Sequence, residues 1–194
     1  MNAIQHLRPA VMMVVLFTLL TGLAYPLTVT GVAQLALPFQ ANGSLVRDAA
    51  GGVQGSALIA QGFAGAGYLH PRPSAAGNNG YDASNSSGSN LGPMDPKLAD
   101  RIKGDAKALS ADSSAPIPAD AVTTSGSGLD PDVSPGNAAR QAARIATARG
   151  MSAQDVQAVL ARYTEQPALG FIGQPRVNVL LVNKALDHDH PLHK

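Results

Sequence analysis

From Pro9 to Leu37 the chain is apolar almost without a break; beyond that, apolar residues come in short runs separated by Gly, Ser, Asn, Asp and Pro. Between Arg8 and Arg47 there is no Asp, Glu, Lys or Arg. A helix crossing about 30 Å of hydrocarbon at about 1.5 Å per residue needs about 20 residues, and this run supplies them. A transmembrane helix is therefore expected over residues 9–32. Thr18, Thr21, Thr28 and Thr30 can return their hydroxyls to helix carbonyls. Pro26 is expected to kink the helix, which a membrane tolerates where the freed backbone groups find partners. Gly22 and Gly31 offer flat spots for a second helix, so Gly22, Pro26 and Gly31 are the candidate packing residues.

Two rival readings of this run remain: a cleaved signal peptide with Arg8 before its apolar stretch, and a buried core helix. No Ala-x-Ala tripeptide falls between residues 15 and 45, and the apolar character outlasts a typical signal sequence. A core helix of this length without one charge is unusual. For a retained span, Arg8 precedes it and the next basic residue is Arg47. The positive-inside rule then places residues 1–8 in the cytoplasm and the remainder outside.

The polar part reads as short elements. Around a Gly51-Gly52 turn, β segments are expected at Ser44–Val46 and from Val53 to Ala60. From Pro71 to Pro96, 19 of 26 residues are Gly, Pro, Ser, Asn or Asp, which by composition alone describes a flexible loop. Asp95-Pro96 is an N-cap and first-turn proline opening a helix through Leu109, with Leu98, Ile102, Lys103 and Ala106 in step. A second polar stretch spans 110–136. Ser134-Pro135 then opens a helix to Arg149, which Gly150 stops. Ser152-x-x-Asp155 is a capping box for a helix reaching about Tyr163. The run Val177–Leu186 fits a helix, with a strand over Val177–Val182 as the alternative. The fold class is α+β: one N-terminal transmembrane helix, then a single mixed α/β extracytoplasmic domain over 33–187 and a disordered tail over 188–194.

Composition removes several functions. With no Cys there is no disulfide framework, thiolate metal site or cysteine nucleophile. A formal charge of +1, no dense basic block and 4% aromatics with no Trp argue against nucleic acid as a partner. The chain has no phosphate-binding G-x-x-x-x-G-K-[ST], no Asp-Lys-Thr-Gly phosphorylation sequence, no G-x-S-x-G and no S-x-x-K. Glu165 is its single Glu, and Asp130 and Asp132 flank Pro131 as a turn would. His188, His190 and His193 suit a metal by type, but at a chain end they read more simply as a solvated tail, so no metal site is assigned. His70, beside Tyr68 and Arg72, is read as a hydrogen-bonded structural histidine. Arg140, Arg144 and Arg149 share the helix that ends at Arg149 with Gln141 and read first as a solvated face, second as a surface for an acidic partner or phosphate.

Taken in order, the segments resemble a known family, the C subunit of the Kdp-type high-affinity potassium-transporting ATPase. The resemblance rests on Leu7–Ala10, Thr21–Leu27, Gln40–Leu45, Gly55–Ile59 and Tyr68–His70 with Arg72–Ser74. It continues through Gly88–Pro93, Ser125–Pro131, Gln141 with Arg144, Gly170–Val179 and Asn183–Asp187. Pro71, Thr124 and the His-rich tail depart from the family pattern.

The resemblance implies a non-catalytic subunit of an ATP-driven potassium uptake complex in the cell inner membrane. Its partners would be a channel-like potassium-translocating subunit, a P-type ATPase subunit, a small single-span subunit and membrane lipid. ATP and potassium would be handled by the complex, with no cofactor of the chain's own. It also implies that segments 72–93 and 123–135 are ordered docking surfaces, making Arg72, Ser74, Ser89, Asn90, Ser125, Ser127, Asp130 and Asn178 interface candidates. The family's catalytic-chaperone role, raising ATP affinity through a glutamine on the nucleotide, would fall on Gln141 with Arg144. The topology above opposes a direct contact, because Gln141 would lie a bilayer away from the cytoplasmic ATP. An extracytoplasmic cap on the channel-like subunit is therefore the leading expectation; a catalytic chaperone and a membrane-tethered periplasmic enzyme or binding module are the alternatives.

Overall fold

A computed structural model describes residues 3–192 of the chain. It divides into two compact units, Met1–Leu45 and Val46–Lys194, each described by itself below. Lys194 and His193 of the expected tail lie outside the described residues.

The first unit is helical: α1 (Ala3–Leu19), a wide π-type turn (Leu20–Ala24), α2 (Tyr25–Ala36) and the short α3 (Pro38–Ala41). Over His6–Ala36 it is long and apolar enough to cross a membrane. The anticipated effect of Pro26 takes a specific form. Proline has no N–H to donate and its ring crowds the carbonyl one turn back. The helix widens just before it, with Tyr25 N–H reaching back to Leu20 O. Thr21 and Thr28 return their hydroxyls to Phe17 O and Ala24 O at 2.6 and 2.7 Å, as expected. At about 3.6 residues per turn, Gly22 and Gly31 fall well apart around the helix, so they offer two separate flat spots rather than one seam. Neither has any atom within 4 Å of where a Cβ would stand.

The second unit combines two small sheets with four helices among the described residues. Strands β1 (Leu45–Arg47) and β2 (Val53–Ser56) pair around the glycine turn, where Asp48 N–H bonds Gly52 O at 2.9 Å. Next come α4 (Pro96–Asp112), β3 (Asp132–Val133), α5 (Pro135–Arg149), α6 (Ala153–Arg162), β4 (Thr164–Glu165), β5 (Arg176–Asn178) and α7 (Val179–Asp189). The second sheet has the order β3-β5-β4, antiparallel throughout, with Val177 opposite both Val133 and Thr164. Its core is one apolar cluster drawn from α5, α6, α7, β3 and β5, with Leu69 contributed by the long loop.

The sequence signals of the helix ends hold where they are local. Asp95, Ser134 and Ser152 each accept from the backbone two or three residues on, and Ser152 with Asp155 closes both halves of the capping box. Gly150 ends α5 at φ 65°, in the left-handed conformation glycine adopts without steric cost. The alternatives for Val177–Leu186 both contain part of the answer. A strand ends at Asn178, whose side chain accepts from Leu181 N–H and so caps the helix that follows.

Two expectations are corrected. Lys103 does not share the packed face of α4, which runs through Leu98, Ile102, Ala106 and Leu109; Lys103 is exposed. The ordered domain does not stop at residue 187 either: α7 continues through His188 and Asp189, and Arg162 bonds Asp189 at 2.7 Å.

Candidate functional site

The arginine face of α5 is spent largely on backbone carbonyls: Arg140 and Arg144 are half-buried and Arg149 is buried. Arg140 donates to Leu109 O, to Ser113 O at 3.0 Å and to Ala115 O at 3.4 Å, closing the C-terminal end of α4. A helix C-terminus leaves carbonyls without helical donors, and a guanidinium fills several at once. Arg144 donates to Ala66 O at 2.6 Å and Tyr68 O at 3.1 Å. Arg149 is fully buried: Nε meets Gly67 O at 2.6 Å, Nη1 meets His190 O at 2.7 Å and Nη2 pairs with Asp187 at 2.8 Å. Its guanidinium also lies 5.0 Å over the Tyr68 ring. The solvated reading failed because the carbonyls these arginines serve come from segments far away in sequence.

Gln141 sits among them. Its Oε1 accepts from His70 N–H at 2.8 Å and from Arg144 Nη2 at 2.7 Å. Its Nε2 donates to His70 O at 3.1 Å and to Asn137 Oδ1 at 3.1 Å. A primary amide has two acceptor lone pairs and two donor hydrogens, and all four are used. Asn183 of α7 treats the preceding residue in the same way, accepting from Leu69 N–H at 2.7 Å and donating to Leu69 O at 2.9 Å. Two amide side chains on different helices thus grip consecutive peptide groups of one loop. His70 itself is hydrogen-bonded, Nε2 to Gly65 O at 3.0 Å, in line with its structural reading. The cleft beside Gln141, lined by His70, Asn137, Arg140 and Arg144, holds about 140 Å³. Small-molecule pockets usually hold about 300–1,000 Å³.

The candidate interface residues form a second assembly, and it is ordered. Arg72 pairs with Asp130 at 2.8 Å and reaches Thr123 O at 3.4 Å. Ser74 donates to Gly128 O at 2.6 Å and accepts from Tyr81 N–H at 2.8 Å, while Tyr81 OH returns to Arg72 O at 2.8 Å. Ser86 and Ser87 bond Ser127 O at 3.0 Å and Ala75 O at 2.8 Å. Ser127 Oγ accepts from Leu129 N–H at 3.1 Å and lies 3.4 Å from Ser125 Oγ. At Gly128 (φ 66°) a Cβ would stand 2.6 Å from Ser87 O, so the loops cross with no room for a side chain. The composition-only expectation of a flexible 71–96 segment therefore yields to an ordered one. Ser89 is half-buried, and Asn90 is exposed in left-handed backbone.

Asn178 does not belong to this surface. It is buried and bridges Ala57 O at 2.8 Å to the carboxylate of Asp132 at 3.2 Å. Burial holds the Asp132 carboxyl above its ordinary value, helped by Asp130 and Glu165 and opposed by Arg176, which sits 3.2 Å away. Asp130 turns the chain by accepting from Asp132 N–H at 3.1 Å, as the turn reading of these two residues anticipates. Among the described residues no group of His, Asp and Glu converges as metal ligands would.

These elements define a class: a chain with one candidate membrane-spanning helix and a mixed helix-and-sheet unit whose polar side chains are spent on holding loops. The family model for KdpC, the c chain of K+-transporting ATPase, matches residues 7–188. Proteins described as potassium-transporting ATPase KdpC subunits are similar over nearly the whole chain. The one from Caulobacter sp. (strain K31) is 63% identical over 191 residues, covering 98% of this chain and 97% of the relative. That of Beijerinckia indica is 55% identical over 194 residues, covering 98% of each. That of Rhodospirillum rubrum is 51% identical, covering 97% and 98%. The chain belongs to the KdpC family.

Proposed function

We propose that this chain is a non-catalytic accessory subunit of an ATP-driven potassium uptake complex. It assembles and stabilises that complex from the extracytoplasmic side, where its second unit caps the potassium-translocating subunit. Family membership supports the potassium-transporting ATPase. The side of the membrane is supported by Arg8 before the span and the lack of any Lys or Arg after it until Arg47. The ordered loops around Ser74 and Gly128 supply the docking surface. Formal charge is +1 over the whole chain, too little to concentrate cations, which favours a stabilising role over an electrostatic one.

The observation that carries the reading is the saturation of Gln141. A nucleotide-contacting amide needs a donor or acceptor to spare, and this one has all four capacities filled by the chain itself. Any influence on ATP use would then be allosteric, through contacts that differ between two states of the complex.

Replacement of Gln141 by Ala in the assembled complex separates this reading from the catalytic chaperone. The expected result is less complex, or complex of lower thermal stability, with an unchanged ATP concentration for half-maximal activity in what assembles. A raised ATP requirement at unchanged complex stability would instead support direct nucleotide contact. Isolation of the chain alone with an activity of its own would support a tethered enzyme.

A further inference from the structure

Strands β4 and β5 are joined by a long loop that ends in a stiff apolar tip. Leu169, Phe171 and Ile172 are 82%, 77% and 54% exposed, side by side. Scattered apolar residues on a surface are ordinary, but a cluster at one protruding point calls for an explanation.

The tip is held in shape. Ala168 and Ile172 exchange backbone hydrogen bonds at 3.0 and 2.9 Å, and Phe171 N–H bonds Ala168 O at 3.3 Å across the turn. The two central residues of that turn, Leu169 and Gly170, have φ of 54° and 81°. Such a turn is normally built from Asn-Gly or Gly-Gly, because at positive φ a Cβ crowds the following carbonyl, a cost that Gly avoids and Asn offsets by local hydrogen bonding. Leu at its first central position is a local cost, and at 82% exposure its side chain gains little burial to offset it. Strain of this kind marks places where a side chain is needed in one position.

The charge pattern points the same way. No residue from Gln166 to Pro175 is charged, and at the base of the loop Glu165 and Arg176 neutralise each other in an ion pair. A surface complementary to this tip is therefore uncharged and apolar. A lipid surface accepts apolar side chains in any arrangement and gives no return for a strained backbone, whereas a shaped protein socket does.

We infer that the tip formed by Leu169, Phe171 and Ile172 is a plug that seats in an apolar socket on another protein subunit of the complex. This rests on the accessory-subunit reading above. The chain is expressed with its partner subunits, and assembly is read by native electrophoresis after gentle solubilisation. Phe171→Asp is expected to abolish assembly. Leu169→Gly removes the side chain and relaxes the turn, so it leaves the chain's own melting temperature level or higher while complex yield falls about tenfold, a loss of about 1.4 kcal/mol. A merely tolerated Leu would give the stability result without the assembly defect. A photo-crosslinking amino acid at position 171 is expected to capture a partner subunit. Undiminished assembly of both variants beside the native chain, or crosslinking to lipid alone, overturns the plug and leaves the subunit reading standing. Failure of the native chain to assemble overturns both.

Discussion

Around Ile145 and Leu186 the second unit packs apolar side chains that retain no exposed surface, whereas around Ser74 and Gly128 it has few such side chains and joins loop to loop through hydroxyls, carbonyls and one ion pair. In the first region shape is set by volume, and any arrangement that fills the space is stabilised by burial. In the second it is set by particular backbone atoms, each of which must lie within hydrogen-bond reach. The two regions meet at Leu69 and His70, where Asn183 and Gln141 grip the loop from the helical side. The loops are thus ordered by being fastened to a core they do not themselves extend. Such a construction would suit the docking surface proposed for these loops, since a surface free of large apolar side chains can stay exposed to water.

Breaking the core should have the largest effect. Leu186→Ala leaves a cavity among α5, α6 and α7 and is expected to cost about 2–5 kcal/mol, read from denaturant unfolding of the detergent-solubilised chain. Loosening the grip comes next. Asn183→Ala leaves the buried N–H and C=O of Leu69 without partners, at about 1–3 kcal/mol for each group, and hydrogen exchange at Leu69 and His70 should rise together. Gly128→Ala attacks the loop crossing alone, through positive φ and a Cβ against Ser87 O. About 1–3 kcal/mol of strain is expected there, with faster exchange confined to 72–93 and 123–130 while the helices keep their protection.

The smallest effect is a pH dependence at Asp132. Its folded-state carboxyl is raised, so the folded chain keeps a proton that the unfolded chain gives up near 3.8. Stability from this group is complete below 3.8 and is lost as pH rises through the raised folded value. Asp132→Asn should flatten that decline, seen as a melting temperature that varies less with pH across the weakly acidic range. A steeper decline in the variant would contradict the sign.

What could be read from the sequence follows the same division. Helix starts at Asp95, Ser134 and Ser152 and the stop at Gly150 are set by atoms a few residues away, and all four were legible. The long apolar helix was legible from composition, and its wide turn before Pro26 follows from the missing N–H. Order in the Gly/Ser/Asn loops was not, because it depends on contacts such as Ser74 to Gly128 and Arg72 to Asp130 between distant segments. The arginines of α5 misled for the same reason: their spacing along the helix says nothing of the carbonyls that Gly67, Ala66 and Leu109 bring to them. Gln141 was visible as a residue of interest, but its saturation emerged only with the backbone of His70 beside it. Of the exposed tip, Phe171 and Ile172 fall within the Gly170–Val179 stretch that carries the resemblance and Leu169 lies outside it, and a short apolar run within a loop looks in sequence like part of a core.

The central claim, that the second unit lies outside the cytoplasm, is tested most directly by labelling. The chain has no cysteine, and Ala139 is exposed on the helix that carries Gln141, so Ala139→Cys introduces a single reporter thiol. Treated with a membrane-impermeant maleimide, spheroplasts with intact membranes are expected to label at this position as fully as lysed ones. Labelling that appears only after lysis would put Gln141 in the cytosol, within reach of ATP, and contradict the account.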